Sequence, residues 1–182
     1  QIFNAITVQD HYGAYRSSGM CYVHIKENGE LVTDPLIVEY GVGQYDSEWN
    51  RIEAEWFMRG SHVKKVENQG YPGFSVSCTQ EAALVYPKVR NLSDKVGLSL
   101  HGYFVGSGCE IQLRQGSESG PLLGSVRLSD TAPDSHWNWV NTTIPLNPSA
   151  DVMDICLVLK PDPGTEIQLD HFHFFAEAIP NP

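Results

Sequence analysis

From residue 74 onward the chain repeats one pattern: apolar side chains at every second position, in short stretches separated by clusters of glycine, proline, serine and aspartate. Val96, Leu98 and Leu100 alternate with Gly97, Ser99 and His101. Ile111 and Leu113 alternate with Glu110, Gln112 and Arg114, and Val126 and Leu128 with Ser125, Arg127 and Ser129. Val140, Ile144 and Leu146 share one parity, while Trp137, Trp139 and Asn141 share the other. Successive side chains of a strand point to opposite faces, so this period describes strands with one buried and one wet face. Residues 155–159 are apolar throughout, as in a strand covered on both faces, and residues 167–175 close the set. The separators at 106–108, 116–121, 132–135 and 160–164 carry turn chemistry. Short strands at near-regular spacing predict an all-β fold, a β-sandwich (jelly roll) of two antiparallel sheets.

An earlier segment reads two ways. Residues 46–60 can be drawn as a helix, with Asp46 or Ser47 as cap, Ile52 and Trp56 stacked four apart, and Gly60 as stop. The same residues can be drawn as a strand.

A chain of 182 residues with 41% hydrophobic and 19% charged residues can bury a core of its own. The net charge of -10 repels a phosphate backbone and argues against nucleic acid as a partner. No apolar run approaches the roughly 18 residues of a membrane span. Cys21, Cys78, Cys109 and Cys156 form no Cys-x-x-Cys pair, which leaves buried thiols or one or two disulfides. No nucleophile elbow, His-Glu-x-x-His helix, phosphate loop or dinucleotide fingerprint occurs, and no catalytic pair of carboxylates is recognisable. The chain is therefore not expected to be an enzyme. It opens at Gln1 with neither an initiator Met nor a signal peptide, which reads as a processed or excised piece.

Five short motifs in order carry a family resemblance. They are Ile52-Glu53-Ala54-Glu55; residues 106–114, ending in Glu110-Ile111-Gln112-Leu113-Arg114; Gly120-Pro121-Leu122-Leu123-Gly124-Ser125-Val126; Trp139-Val140-Asn141-Thr142-Thr143-Ile144-Pro145-Leu146; and Leu169-Asp170-His171-Phe172-His173-Phe174. Together they resemble the family 6 carbohydrate-binding modules over residues 51–176. The resemblance implies a non-catalytic module of a secreted (extracellular or periplasmic) glycoside hydrolase. It also selects the strand reading of residues 46–60. Residues 1–50, with Tyr22-Val23-His24, Glu27-Asn28-Gly29-Glu30-Leu31-Val32 and Gly41-Val42, are similar to the tail of a family 43 glycoside hydrolase. They would be the end of a parent catalytic domain, of xylosidase or arabinofuranosidase type, and residues 177–182 a tail. Asn28-Gly29 reads by itself as a tight hairpin turn. The implied ligand is a plant cell-wall polysaccharide or oligosaccharide, with xylan or arabinoxylan suggested by the neighbour. The alternative is an accessory sandwich that packs on the catalytic domain and has lost sugar binding.

Sugar sites need exposed flat rings, because the C–H faces of a pyranose stack on them. Carried over from the family, the first ring position falls on Ala83, which has none. The second falls on His136, with Trp137 beside it, and the amide position falls on Gln168. Trp137, His136, Gln168 and Tyr86 are thus the candidates at the loop end. Tyr103, with Trp56 and His101, is the candidate on a sheet face. Glu53 and Glu55, two apart on a strand, project from one face. With Asp170 they match the family's structural Ca²⁺ ligands, three oxygen donors for a hard cation. A solvated acidic edge is the alternative. His171 and His173 also share a face, but zinc needs two more ligands and none is obvious from the sequence.

Overall fold

The computed structural model describes residues 2–10, 13–21, 23–25, 29, 31–33, 45–68, 73–129, 140–146 and 148–176. Contacts divide the chain into two units, Gln1–Gln44 and Tyr45–Pro182. In the first, β1 (Ile2–Asp10) and β2 (Gly13–Cys21) pair antiparallel, with Asp10 opposite Gly13. β3 (Val23–Ile25) and β4 (Leu31–Thr33) form a second antiparallel pair. Between them Gly29 has φ +82°, a left-handed conformation that glycine adopts without a Cβ clash. Asn28, the other half of the expected turn, lies outside the described residues.

The second unit is a β-sandwich. Its strands are β5 (Ile52–Glu53), β6 (Arg59–Ser61), β7 (Lys64–Glu67), β8 (Phe74–Cys78), β9 (Ala82–Val89), β10 (Gly97–Val105), β11 (Gly108–Gln115), β12 (Leu122–Ser129), β13 (Val140–Pro145), β14 (Met153–Pro161) and β15 (Glu166–Phe175). One sheet runs β13-β10-β15-β8-β7, with β5 also paired to β15; the other runs β12-β11-β14-β9-β6. The ladders are antiparallel, as the alternating pattern requires. From β8 to β15 the chain changes sheet at every connection except the β11–β12 hairpin. Each sheet therefore supplies one wall of a shared core. Leu98, Leu100, Leu169 and Phe172 come from one wall, and Leu84, Tyr86, Leu113 and Leu157 from the other, all at 1% exposure or less.

Residues 46–60 are neither one helix nor one strand. Ile52 and Glu53 pair with Phe172 and His171 in the six-stranded sheet. Five residues later Met58 N–H donates to the Val85 carbonyl (2.9 Å), and Arg59 stands opposite Val85 in the other sheet. A single 3₁₀ turn, Ala54–Trp56, carries the chain across, with Ala54 and Trp56 buried beneath it. The strand cannot continue, because its partner changes. The sandwich also includes residues upstream of 51: Arg90 N–H donates to the Tyr45 carbonyl and Ser47 N–H to the Arg90 carbonyl.

Candidate binding sites on the two sheet faces

The outer face of the five-stranded sheet is built in cross-strand rows. Arg59, Val85, Cys156 and Arg114 form one row, and Ser61, Ala83, Val158 and Gln112 the next. Residues opposite each other on antiparallel strands share a face. Ala83, Cys156 and Val158, with Val85, make a small apolar floor. Beside it runs a polar ladder along β11. Gln112 Nε2 donates to Glu110 (2.8 Å), and Arg114 donates to Gln112 (2.8 Å) and to the Gly120 carbonyl (2.8 Å).

The loop after β11 overhangs this floor. Gly116 turns the chain at φ +75°, and its N–H donates to the Asp154 carbonyl (2.8 Å). Between that loop and the β6 edge lies a groove of about 260 Å³. Ala83 and Val85 are on its floor, and Arg59, Ser61, Ser117 and Glu118 on its rim. The volume is just below the roughly 300–1,000 Å³ of drug-sized ligand sites, which suits one sugar ring. The apolar floor can meet C–H groups, while the guanidinium, hydroxyls and carboxylate can bond to hydroxyl groups. The sequence reading placed Ala83 where an aromatic platform was missing. The structure puts that small side chain at the bottom of the groove. No spacing signal marks Arg59 or Ser61, and residues 116–118 were legible only as a loop.

The expected contact residues sit elsewhere. Tyr86 is fully buried; its hydroxyl donates to the Ala54 carbonyl (2.6 Å). Tyr103 and Gln168 are directly opposite on β10 and β15, both 5% exposed, and the Tyr103 hydroxyl donates to Gln168 Oε1. Trp56 is 1% exposed and its carbonyl accepts from the Tyr45 hydroxyl. These positions correct the expectation of sugar contacts, since a ring or amide closed off from solvent cannot stack or bond to a hydroxyl. His136 and Trp137 lie outside the described residues. Cys78, Cys109 and Cys156 are buried free thiols.

The acidic set is buried, with Glu53 at 2%, Glu55 at 3% and Asp170 at 1% exposure. A solvated acidic edge is therefore not what these residues form. The two glutamates do not leave one strand face as expected, because β5 ends at Glu53 and Glu55 lies in the 3₁₀ turn. Arg51 Nη2 donates to Glu53 Oε2 (3.0 Å) and Asp170 Oδ2 (3.2 Å), so one nitrogen stands between two carboxylates. Asn68 Nδ2 donates to Asp170 Oδ1 (2.9 Å), and His171 Nδ1 to Oδ2 (2.6 Å). Burial alone pushes the Asp170 carboxyl up. The hydrogen bonds from His171 and Asn68, with the Arg51 charge, outweigh it and hold the group below its ordinary range. Three buried carboxylates thus lie where β5, the 3₁₀ turn and β15 adjoin, and one guanidinium offsets two of them. A hard, oxygen-seeking cation fits this donor set.

No family profile matches the sequence, and no curated protein matches it. Solved structures do match in fold. A family 6 carbohydrate-binding module from Clostridium cellulolyticum, in complex with xylose, matches with TM-score 0.63 and 23% identity, over 71% of this chain and 98% of that one. A family 43 arabinoxylan arabinofuranohydrolase from Bacillus subtilis, in complex with cellotetraose, matches with TM-score 0.63 and 15% identity. That match covers 91% of this chain but 35% of the enzyme, so this chain spans about a third of its length. A family 36 module in complex with calcium and xylotriose matches with TM-score 0.51 and 18% identity, over 70% of this chain and 100% of that one. At these identities the likeness is one of fold. The resemblance read from the five motifs is met: the chain has the β-sandwich of the carbohydrate-binding modules.

Proposed function

We propose that this chain is a non-catalytic carbohydrate-binding module, and that it takes a sugar ring in the groove between the β6 edge and the 116–118 loop. The observation that carries this is the groove itself: a small apolar floor at Ala83 and Val85 under a rim of Arg59, Ser61, Ser117 and Glu118. Its fold likeness to modules solved with xylose and xylotriose supports a sugar as the occupant. The match over 91% of this chain to a family 43 enzyme supports a parent hydrolase acting on xylan or arabinoxylan, and hence a secreted protein. Holding the parent on its polymer raises the local concentration of enzyme. Ca²⁺, held by Glu53, Glu55 and Asp170, would supply the positive charge that lets these acids lie together where β5 and the 3₁₀ turn adjoin β15.

A second reading, an accessory sandwich that has lost sugar binding, is favoured by the burial of Tyr86 and Tyr103 and the missing ring at Ala83. Calorimetric titration in Ca²⁺ separates the two. Xylo-oligosaccharides are titrated first, then arabinan and mixed-linked glucan fragments, against the parent chain, Arg59→Ala and Trp137→Ala. Binding lost in Arg59→Ala and kept in Trp137→Ala supports the groove. The reverse moves the site to the loop end. Heat with no glycan at all leaves the accessory reading.

A further inference from the structure

The outer face of the six-stranded sheet carries a side-chain group that sugar binding does not use. His101 on β10 and His171 on β15 stand directly opposite each other, and their rings stack with centroids 4.7 Å apart and planes 28° apart. At the next position the register slips: Gly102 faces Leu169, so Asp170 is the extra residue of a β-bulge. A bulge breaks the alternation of a strand and re-aims a side chain. Here the Asp170 carboxylate meets the neighbouring imidazole, at 2.6 Å from His171 Nδ1, instead of pointing away from it. One ligand-type atom from each of His101, Asp170 and His171 lies within 4.8 Å of the other two. Both imidazoles are part-exposed, so an ion can reach them from solvent. The carboxylate is fixed by Asn68, which in turn accepts from the Ser75 hydroxyl.

We propose that His101, His171 and Asp170 form a binding site for a divalent transition metal of the zinc class. Two imidazoles and one carboxylate suit Zn²⁺, Co²⁺ or Ni²⁺, whereas Ca²⁺ takes oxygen donors alone. Three protein donors leave a position for water or a hydroxyl group. The Asn68 contact is the kind of outer-shell hydrogen bond that holds a ligating carboxylate in place. The net charge of -10 favours the approach of a cation.

The test is titration of the full chain with Zn²⁺ in Ca²⁺-free buffer, because Asp170 also serves the Ca²⁺ reading and the two ions would compete for it. One site per chain of micromolar or tighter affinity is expected. His101→Ala and His171→Ala should each weaken it by at least about tenfold, since even loss of an outer-shell partner has that effect. His173→Ala, two positions along β15, should leave it unchanged. Absence of binding in the parent chain, or equal binding in the double His101→Ala/His171→Ala variant, overturns the proposal. So does a loss in His173→Ala that matches the loss in His171→Ala. Co²⁺ added to the parent chain gives a reading free of variants. An imidazole-perturbed absorption spectrum displaced by Zn²⁺ supports the site, and the spectrum of aqueous Co²⁺ overturns it.

Discussion

Tyr86 of the five-stranded sheet meets Phe172 of the six-stranded sheet edge to face, with ring centroids 4.9 Å apart and planes at 77°. Tyr45 packs on Tyr86 in the same manner at 5.5 Å. The contact spans the interior, and the Tyr86 hydroxyl ties down the 3₁₀ turn at Ala54. Tyr86→Phe keeps the ring and removes the donor to the Ala54 carbonyl. A loss of about 0.5–1.5 kcal/mol is expected. Urea unfolding should show a lower midpoint with an unchanged m-value, and sugar affinity should not move.

The same residue shows what the sequence conveyed and what it did not. Alternation in β10, β11, β12 and β13 pointed to the sandwich, because a period of two has one structural meaning over several strands. Tyr86, a loop-end candidate by sequence, falls on the parity of Leu84 and is core like it. Tyr103 is a sheet-face candidate through the family resemblance, but Gln168 opposite it closes a buried polar pair. The 3₁₀ turn was hidden because a change of partner sheet leaves no periodic mark. The groove was hidden because β6, β9 and the loop after β11 meet only through long-range pairing. The His101–His171 pair was hidden for the same reason: only the 170/171 neighbours are local, and the bulge that gathers all three is set by strand register.

Burial, with the charges of Cys109 and Glu166, pushes the Cys78 thiol up to about 12, and burial raises Cys109 to about 11 against the Arg127 charge. An unfolded thiol titrates near ~8.5. Below that value both states hold the proton and stability is whole. As pH rises toward the folded values, the unfolded state gives up protons first, and stability falls. Unfolding midpoints should therefore decline between about pH 9 and 11, and less steeply in Cys78→Ala. At pH 8 a thiol reagent should reach Cys78, Cys109 and Cys156 only after urea is added. A midpoint flat across that pH range would contradict the buried-thiol account.

If Ca²⁺ joins Glu53, Glu55 and Asp170, it binds the folded chain and stabilises it by mass action. At a hundredfold excess over Kd this amounts to about 2.7 kcal/mol. Scanning calorimetry should show Tm rising with added Ca²⁺ and falling with a chelator. Glu53→Gln and Asp170→Asn should each remove most of that response. A Tm indifferent to Ca²⁺ would mean that contacts within the chain, those of Arg51, Asn68 and His171 among them, suffice to hold the acids together.

Two changes to the groove should act through different routes. Arg59 and Glu118 are exposed and sit on the rim. Replacing either with Ala should change stability by no more than about 0.5 kcal/mol. A charged hydrogen bond to a sugar hydroxyl contributes about 1.5–3 kcal/mol, so affinity should fall by roughly tenfold or more. Ala83→Leu acts on the floor instead. Ala83 is 6% exposed and packs on Cys156 and Val158, so a larger side chain must grow into the groove. It should abolish binding while the rim stays intact, at a cost of about 1–3 kcal/mol from overpacking. Calorimetric titration beside thermal unfolding reads both quantities. If Ala83→Leu binds xylo-oligosaccharide as the parent chain does, no sugar enters this groove, and binding must be sought at Trp137.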